Sequence, residues 1–291
     1  MEILHQCSIQ LDVIKVVTTK DELFMLCRQQ NNQDYLINVF DRNNMAHPLK
    51  DVIPLPDICP WGMAACSLSN CVYLLHMQWD EEEHLTWQRL LVLRIAREDE
   101  TNQFNTWTFT ELRPSFADIS VSADGNLVIL SKEDAPSNSE ISVYAMNGSK
   151  QRGITLSPKI HNFCYVFSAI QKSNGNILVV SANSLCETKV LEIDANERIV
   201  CQYQSSLLSG LSVGLFADTY GRIFITDWRN RMELLDSELN LLQFTGPRLI
   251  QEQVLFVYEM HYDRERNEIV RIDDTDNPAV TALTIFRFKE E

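Results

Sequence analysis

Residues 214–236 read GLFADTYGRIFITDWRNRMELLD. Within this segment two apolar runs, at 223–226 and 232–235, are each bounded by Asp, Asn or Gly. Asp, Asn and Gly favour turns, and short runs of Ile, Phe, Val and Leu between turns favour β-strands. The segment therefore predicts a polar turn, an apolar strand, a second short turn at 228–230 and a further strand.

The same order recurs along the chain, as a turn with Asp, Asn or Gly followed by four residues rich in Val, Ile, Leu and Phe. The first apolar residues of the six copies are Leu23, Val72, Leu127, Ile177, Ile223 and Ile269. Their successive spacings are 49, 55, 50, 46 and 46 residues, so six units account for all 291 residues. Repeats of this length built from short strands are typical of β-propeller blades.

Further strand signals flank each copy. A small and apolar run precedes it, as at 118–124 and 213–218, and an alternating run follows it, as at 35–41 and 140–146. A weaker fourth run appears at 153–156, 199–203 and 241–244. Alternation with a period of two and no 3.6-residue apolar stripe predicts an all-β, six-bladed propeller with four-stranded antiparallel blades. The predicted blades cover about 10–56, 57–113, 114–160, 161–208, 209–249 and 250–291, the last together with 2–9.

The two ends of the sequence predict how the ring closes. The sixth unit reaches Glu291 after its third strand, whereas residues 3–9 form a strand that no unit needs. Pairing this N-terminal strand with the last blade covers two edges that would otherwise be open. We therefore expect residues 3–9 to be the outer strand of blade six.

The quoted segment resembles an NHL repeat. The residues that stand where the NHL pattern places them are Asp218, Gly221, Asp227, Asn230, Arg231 and Asp236. The resemblance is good for blade five, partial for blades three and four, and architectural for the others. In blade five the short turn brings Asp227 and Arg231 close enough to pair, and we expect this pair to support the fold.

The resemblance implies an interaction module. NHL propellers are known as substrate-binding or RNA-binding ends of tripartite-motif proteins and as stand-alone binding domains. The Cys/His spacing of the RING and B-box modules does not occur in this sequence, so ligase activity is not implied. The formal charge of −15 opposes the phosphate contacts that dominate nucleic-acid affinity. Nucleic acid is therefore not the expected partner, and an RNA-binding propeller is kept as a third possibility.

Composition sets the expected compartment. The chain is 45% hydrophobic, and neither a basic segment leading into an apolar one at the N-terminus nor a run of about 18 apolar residues occurs. We expect a cytoplasmic protein without a membrane partner, and a monomer by default. The eight cysteines are scattered, which favours free thiols over disulfides.

A metal-dependent, lactonase-like hydrolase is the enzymatic alternative. Such six-bladed propellers hold a divalent ion in the channel with Asp, Glu and Asn from inner strands. The segment that leads into an inner strand and carries a liganding acid in those enzymes corresponds here to 212–214, with Val213 at the position of the acid. Asp12, Asp118, Asn162 and Glu259 lie on or beside the inner strands without matching that pattern. We therefore expect no catalytic residue, no metal and no cofactor.

A second enzymatic motif is present only formally. Gly210-Leu-Ser212-Val-Gly214 satisfies the GxSxG nucleophile elbow. That elbow requires a strand before the serine and a helix after it, whereas a loop and then a strand are predicted here. We expect Ser212 to have no catalytic role.

The expected binding surface lies on the face that carries the loops between second and third strands and the connections between blades. These second-to-third loops vary in length and hold about half of the net negative charge. Variable loops on a rigid frame are where binding sites usually lie. We expect this acidic face to bind a protein partner with a basic segment, although a solvated hairpin tip with packed tryptophans fits equally well. The candidate contact residues are Trp79, Asp80, Glu81, Glu82, Glu83 and Trp87, with Trp228 and Arg229 in blade five.

Overall fold

The computed structural model forms six four-stranded antiparallel sheets arranged in a ring, which confirms the predicted six-bladed β-propeller. The inner strands of consecutive blades contact one another, and the ring closes where the inner strand of blade six meets that of blade one. The structure describes residues 2–9, 12–29, 34–42, 50–56, 58–79, 88–98, 101–110, 116–132, 138–157, 165–183, 187–209, 212–227, 231–245, 257–274 and 281–287.

Each blade contributes one strand to each of four concentric layers. The inner strands are β2 (Asp12–Thr18), β6 (Cys59–Cys66), β10 (Phe116–Val121), β14 (Tyr165–Gln171), β18 (Ser212–Ala217) and β22 (Val257–Asp263). The second strands are β3 (Glu22–Arg28), β7 (Cys71–Trp79), β11 (Leu127–Lys132), β15 (Ile177–Ala182), β19 (Ile223–Asp227) and β23 (Glu268–Asp274). The third strands are β4 (Tyr35–Asp41), β8 (Gln88–Glu98), β12 (Ser139–Tyr144), β16 (Glu187–Ile193), β20 (Met232–Leu235) and β24 (Thr281–Arg287). The outer strands are β5 (Asp51–Leu55), β9 (Thr101–Thr110), β13 (Lys150–Leu156), β17 (Ile199–Ser209), β21 (Leu241–Thr245) and β1 (Glu2–Ile9).

The N-terminal strand completes the last blade as predicted. β1 pairs antiparallel with β24, from Glu2 opposite Arg287 to Ile9 opposite Thr281. The sheet order is β1-β24-β23-β22, so the first strand of the chain is the outer strand of blade six. Two distant parts of the sequence are thereby joined in one sheet.

One turn design recurs in blades four and five, at Asp194, Asp218, Asp227 and Asp236. In blade five, Asp218 Oδ1 accepts hydrogen bonds from the backbone N–H groups of Tyr220 (2.9 Å) and Arg222 (2.8 Å). Gly221 has φ of +79°, a conformation that costs glycine little and other residues more. The predicted pair across the next turn is confirmed, because Arg231 Nε lies 2.7 Å from Asp227 Oδ2. An aspartate that accepts from the residue four positions later thus fixes these turns.

The hydrophobic core is divided among the interfaces between blades. Among the described residues, each apolar cluster is shared by two neighbouring blades, including the pair formed by blades six and one. Tyr73, Phe24 and Phe224 are among the largest fully buried side chains. Burial of apolar surface is the main favourable term in folding, so each blade depends on its neighbours for stability.

Two outer strands were not predicted from sequence. β5 carries Pro54, which is tolerated in a strand mainly at a sheet edge. β9 reads TNQFNTWTFT, a polar pattern with no glycine or proline at its ends. Outer strands bury less apolar surface than inner ones, so their hydrophobic pattern is weaker.

Five cysteines lie among the described side chains, and all five are free thiols, as expected. Cys27, Cys66 and Cys71 are buried, whereas Cys59 and Cys201 are partly exposed. Burial raises the pKa of the Cys27 thiol to about 12, so this group stays protonated. Among the described residues, no helix has the length and apolar character needed to cross a membrane.

Candidate functional site in the channel and on the loop face

The strand directions define two faces of the propeller. Inner strands end, and second strands begin, at the turn face, which carries the hairpin turns at 19–21, 67–70, 122–126, 172–176, 218–222 and 264–267. The opposite face, here called the loop face, carries the second-to-third loops and the connections between blades. The inner strands line a central channel that runs between these two faces.

A layer of equivalent residues surrounds the channel. Each member pairs with the residue three positions after the first apolar residue of its second strand. The six members are Lys15, Gly62, Asp118, Ser168, Gly214 and Glu259. In five inner strands this position directly follows a β-bulge, and β10 is the inner strand without one. Bulges redirect the side chains that follow them, so they set which residues face the channel.

Two members of this layer are glycines for steric reasons. A Cβ atom on Gly62 would lie 3.0 Å from Ile119 Cγ2 of the next blade. A Cβ atom on Gly214 would lie 2.9 Å from Thr226 Oγ1. A side chain at either position would therefore require the neighbouring side chain to shift.

Asp118 is the carboxylate of this layer whose side chain the structure describes. The Ser168 hydroxyl of the neighbouring blade donates to Asp118 Oδ2 over 2.8 Å. One layer closer to the turn face, the Ser120 hydroxyl donates to the Ala169 carbonyl over 2.6 Å. These two bonds join blades three and four along the channel wall.

His261 belongs to the next layer and faces blade one. The Thr18 backbone N–H donates to His261 Nε2 over 3.2 Å, and Thr18 Oγ1 lies 3.0 Å from the same atom. Nε2 is therefore an acceptor, and the imidazole proton resides on Nδ1. Burial, with smaller contributions from the positive charges of Arg42 and Lys15, lowers the pKa of His261 to about 3. The ring is a neutral hydrogen-bond donor at physiological pH.

The channel holds a cavity of about 460 Å³. Its wall includes the bulky residues Trp61, Phe116 and Phe167, which lie towards the loop face. At the other end the lining reaches hairpin-turn residues, among them Leu68 and Arg264. In the part of the chain that the structure describes, the cavity therefore extends to the turn face.

The acids considered for a metal site lie in different environments. Asp12 lies at the start of β2 and accepts a hydrogen bond from Arg28 Nε (3.0 Å), whereas Asp118 bonds Ser168 inside the channel. Glu259 occupies the channel layer by its backbone register, but its side chain, like all of Asn162, is outside the described residues. Within the described ranges, no group of three or more His, Cys, Asp or Glu side chains could hold a metal ion.

Towards the loop face, the paired strands of blade two extend further than the second strands of the other blades. β7 and β8 stay paired up to Trp79 opposite Gln88, and Trp79 is the eighth residue counted from Val72. The other second strands end at the fifth or sixth equivalent position. At 3.3 Å per residue, the strand pairing of blade two extends about 7 Å further.

The predicted contact residues lie beyond what the structure describes. The backbone of Trp79 is placed at the end of β7, but its side chain and the whole of Asp80, Glu81, Glu82, Glu83 and Trp87 are outside the described residues. Trp228 and Arg229 are also outside them, although their position is bracketed by the Asp227–Arg231 pair. Ser212 begins strand β18 opposite Asp227, so a strand follows it, as the sequence predicts.

Comparison with known proteins shows the fold. No family model matches the sequence, and no curated protein is similar to it in sequence. Similar solved structures include the Dos1 propeller, with a TM-score of 0.53 and 8% identity over 95% of this chain and 79% of that one. A candidate 6-phosphogluconolactonase from Bacteroides fragilis has a TM-score of 0.55 and 12% identity over 93% of this chain and 79% of that one.

A prolyl endopeptidase is also similar, with a TM-score of 0.54 and 10% identity over 93% of this chain. This chain spans 39% of the length of that enzyme. At these identities the likeness establishes a shared propeller architecture. The names of these proteins include enzymes, so the fold by itself does not separate a catalytic propeller from a binding one.

Sequence reasoning missed three channel residues, Lys15, Ser168 and His261. Each lies on an inner strand whose apolar pattern is short, and the bulges shift the side chains by one position. A sequence signal was nevertheless present, because all six layer residues precede the first apolar residue of their second strand by eight to ten positions.

Proposed function

We propose that this propeller is a non-enzymatic, NHL-like interaction module that binds a protein partner with a basic segment through its loop face. The observation that carries the proposal is the extended strand pairing of blade two. The paired strands β7 and β8 run about 7 Å beyond the ends of the other second strands, and residues 80–87 join these two strands in sequence. The segment includes four consecutive acids and Trp87, and it directly follows Trp79.

The composition of this segment suits a basic partner. Tryptophans are frequent hot-spot residues, because they bury a large area with little loss of conformational freedom. The acids would act mainly on the association rate, since charge complementarity steers encounter and is screened by salt. The same negative charge disfavours RNA, whose phosphates require a basic surface.

The channel layer supports binding over lactonase-like hydrolysis. Two of its six members are glycines, which offer no side-chain ligand, and a third is Lys15, whose positive charge opposes a divalent cation. The valine at position 213 adds a fourth departure from the liganding pattern of those enzymes. The proposal therefore favours the loops over the channel as the site of partner binding.

The test replaces residues 80–87 with a two-residue turn and compares affinity capture from the native cell with wild-type and altered bait. A protein retained by the wild type and lost with the altered bait is then purified. Its binding kinetics are measured with Asp80→Asn, Glu81→Gln, Glu82→Gln and Glu83→Gln combined. We expect association to slow about tenfold at low salt and to depend less on salt. Trp79→Ala should mainly speed dissociation.

A matched control neutralises four exposed acids on the turn face, Asp21, Asp124, Glu197 and Glu238, with the same change of net charge. This control should leave the kinetics close to wild type. If both quadruple variants slow association equally, the loop face is not the site. A partner that binds the loop-replaced chain as tightly as the wild type would contradict the proposal.

A further inference from the structure

The polar groups that line the channel cavity are divided between two sides. Lys15 lies on blade one, and His261 and Arg264 lie on blade six, which is the neighbour of blade one in the closed ring. Asp118 and Ser120 lie on blade three, and Ser168 lies on blade four. Glu265 lies beside Arg264 on blade six, where the cavity reaches the turn face. Deeper in the cavity, Lys15 and His261 therefore supply a cation and a hydrogen-bond donor on one side, and a carboxylate with two hydroxyls lines the other.

The side of the cavity formed by blades one and six offers several hydrogen-bond donors. The Lys15 ammonium can donate three hydrogen bonds, so one partner does not exhaust it. His261 uses Nε2 as an acceptor for Thr18, which leaves Nδ1–H as a donor, and no partner for Nδ1 is found within the described ranges. Arg264 lines the cavity where it reaches the turn face. This side of the cavity suits a carboxylate.

The acceptor side centres on Asp118. Its Oδ2 atom accepts from Ser168, and Oδ1 has no hydrogen-bond partner among the residues that the structure describes. A Cβ atom on Gly62 would lie 3.8 Å from Asp118 Oδ1, so this glycine leaves the space beside that oxygen open. A carboxylate held by one neutral hydroxyl suits an ammonium group.

Apolar side chains line the cavity beside these polar groups. Val17, Ile170 and Phe216 belong to the same layer as His261 and line the cavity. Ligand pockets commonly combine apolar walls with a few placed polar groups, and their volumes run from about 300 to 1,000 Å³. The 460 Å³ of this cavity falls within that range.

We propose that the channel binds a small zwitterion, a free amino acid or a short peptide, with its carboxylate towards Lys15 and His261 and its ammonium towards Asp118. The ligand enters from the turn face, where the cavity reaches the hairpin turns of blades two, three and six. This site is separate from the loop face, so it can be occupied whether or not a protein partner is bound there.

The test measures binding of the twenty free L-amino acids, dialanine and trialanine to the full chain by calorimetry and ligand-observed NMR. We expect at least one of these probes to bind in the millimolar range or tighter. Its N-acetylated and C-amidated forms should each bind at least about tenfold more weakly, because each loses a charge-assisted hydrogen bond. Comparison of the affinities for free amino acids and for the two peptides shows which of the two classes is the ligand.

Two variants test the two sides separately. Asp118→Asn keeps the shape of the side chain and an acceptor for Ser168, and it should weaken the zwitterion about tenfold while sparing its N-acetylated form. Lys15→Met should weaken the zwitterion while sparing its C-amidated form. Asp124→Asn makes the same charge change on the exposed turn after β10 and should leave binding unchanged.

The proposal is overturned if none of the probes binds the folded wild-type chain at concentrations up to roughly 10 mM, ten times the expected dissociation constant. It is also overturned if the capped forms bind as well as the zwitterion, or if Asp118→Asn and Lys15→Met both leave affinity unchanged. Should one variant fail to fold, the capped ligands and the other variant still decide the outcome.

Discussion

The junction between blades six and one and the junction between blades three and four lie on opposite sides of the ring and differ in chemistry. At the first, the Arg42 side chain is 1% exposed and pairs with Asp263 and with Glu268, whose Oε2 lies 2.6 Å from Arg42 Nη2. At the second, a cluster of aliphatic side chains that includes Ile141, Val179 and Ile193 fills the interface.

The difference follows from chain connectivity. Blades three and four are consecutive, so their interface forms between segments that are close in sequence. Blades six and one are brought together from the two ends of the repeat, and Arg42 and Glu268 are 226 positions apart. Aliphatic surfaces tolerate small shifts against each other, whereas a buried ion pair is satisfied in one alignment only. The closing junction therefore gains a defined register from its charges.

Removal of Arg42 should have the largest effect. Arg42→Met leaves Asp263 buried without its cation and leaves Glu268 with Arg287 alone. Breaking a buried pair in this way costs about 3–5 kcal/mol. Denaturant unfolding should show this loss as a lower midpoint. Arg198→Met is the control, because the Arg198 side chain is 72% exposed in its pair with Asp194 and its loss should cost less than about 1 kcal/mol. Equal effects of the two substitutions would remove the distinction between closing and exposed ion pairs.

The closing junction should also be the more acid-sensitive one. The pKa of His261 falls from 6.5 to about 3 on folding, so the unfolded chain takes up this proton first as the pH falls below 6.5. The contribution of neutral His261 to the free energy of unfolding is complete above pH 6.5 and is lost progressively towards pH 3. We expect a loss of roughly 2–3 kcal/mol between pH 7 and pH 4.5. His261→Gln should flatten the dependence of unfolding free energy on pH in this window. An unchanged slope would show that folding does not lower the pKa of His261.

The aliphatic junction should respond weakly and without a pH signature. Ile141→Val removes one methylene from the buried cluster between blades three and four and should cost about 1 kcal/mol. The slope of stability against pH should match wild type, since no titrating group is changed. A clear change in that slope would mean that the two junctions are coupled energetically.

The architecture could be predicted from sequence because it is repeated. Six copies of a buried second strand set the number of blades, and the unmatched strand at 3–9 showed how the ring closes. Asp227 and Arg231 could be paired because they lie in one short turn. The equivalent pairs of Asp194 with Arg198 and Asp218 with Arg222 were missed, although each has the same spacing of four.

Features that depend on contacts between blades could not be predicted. Arg42, Asp263 and Glu268 have no shared spacing, since their proximity follows from ring closure. The channel layer depends on β-bulges, which shift the alternation of inner strands by one residue without a reliable sequence signal. The loop-face contacts remain predictions, because Asp80–Glu83 and Trp87 are outside the described residues.

The pairing of β1 with β24 also sets an order of events during synthesis. The ribosome makes residues 2–9 about 270 residues before their partner at 281–287. At about 5–20 residues per second, the N-terminal strand waits roughly 15–55 s before β24 exists. Throughout that interval five nascent blades can assemble while β1 remains without its native partner. A pause in translation or a premature stop before residue 281 would therefore leave an unmatched strand available to chaperones or to another nascent chain.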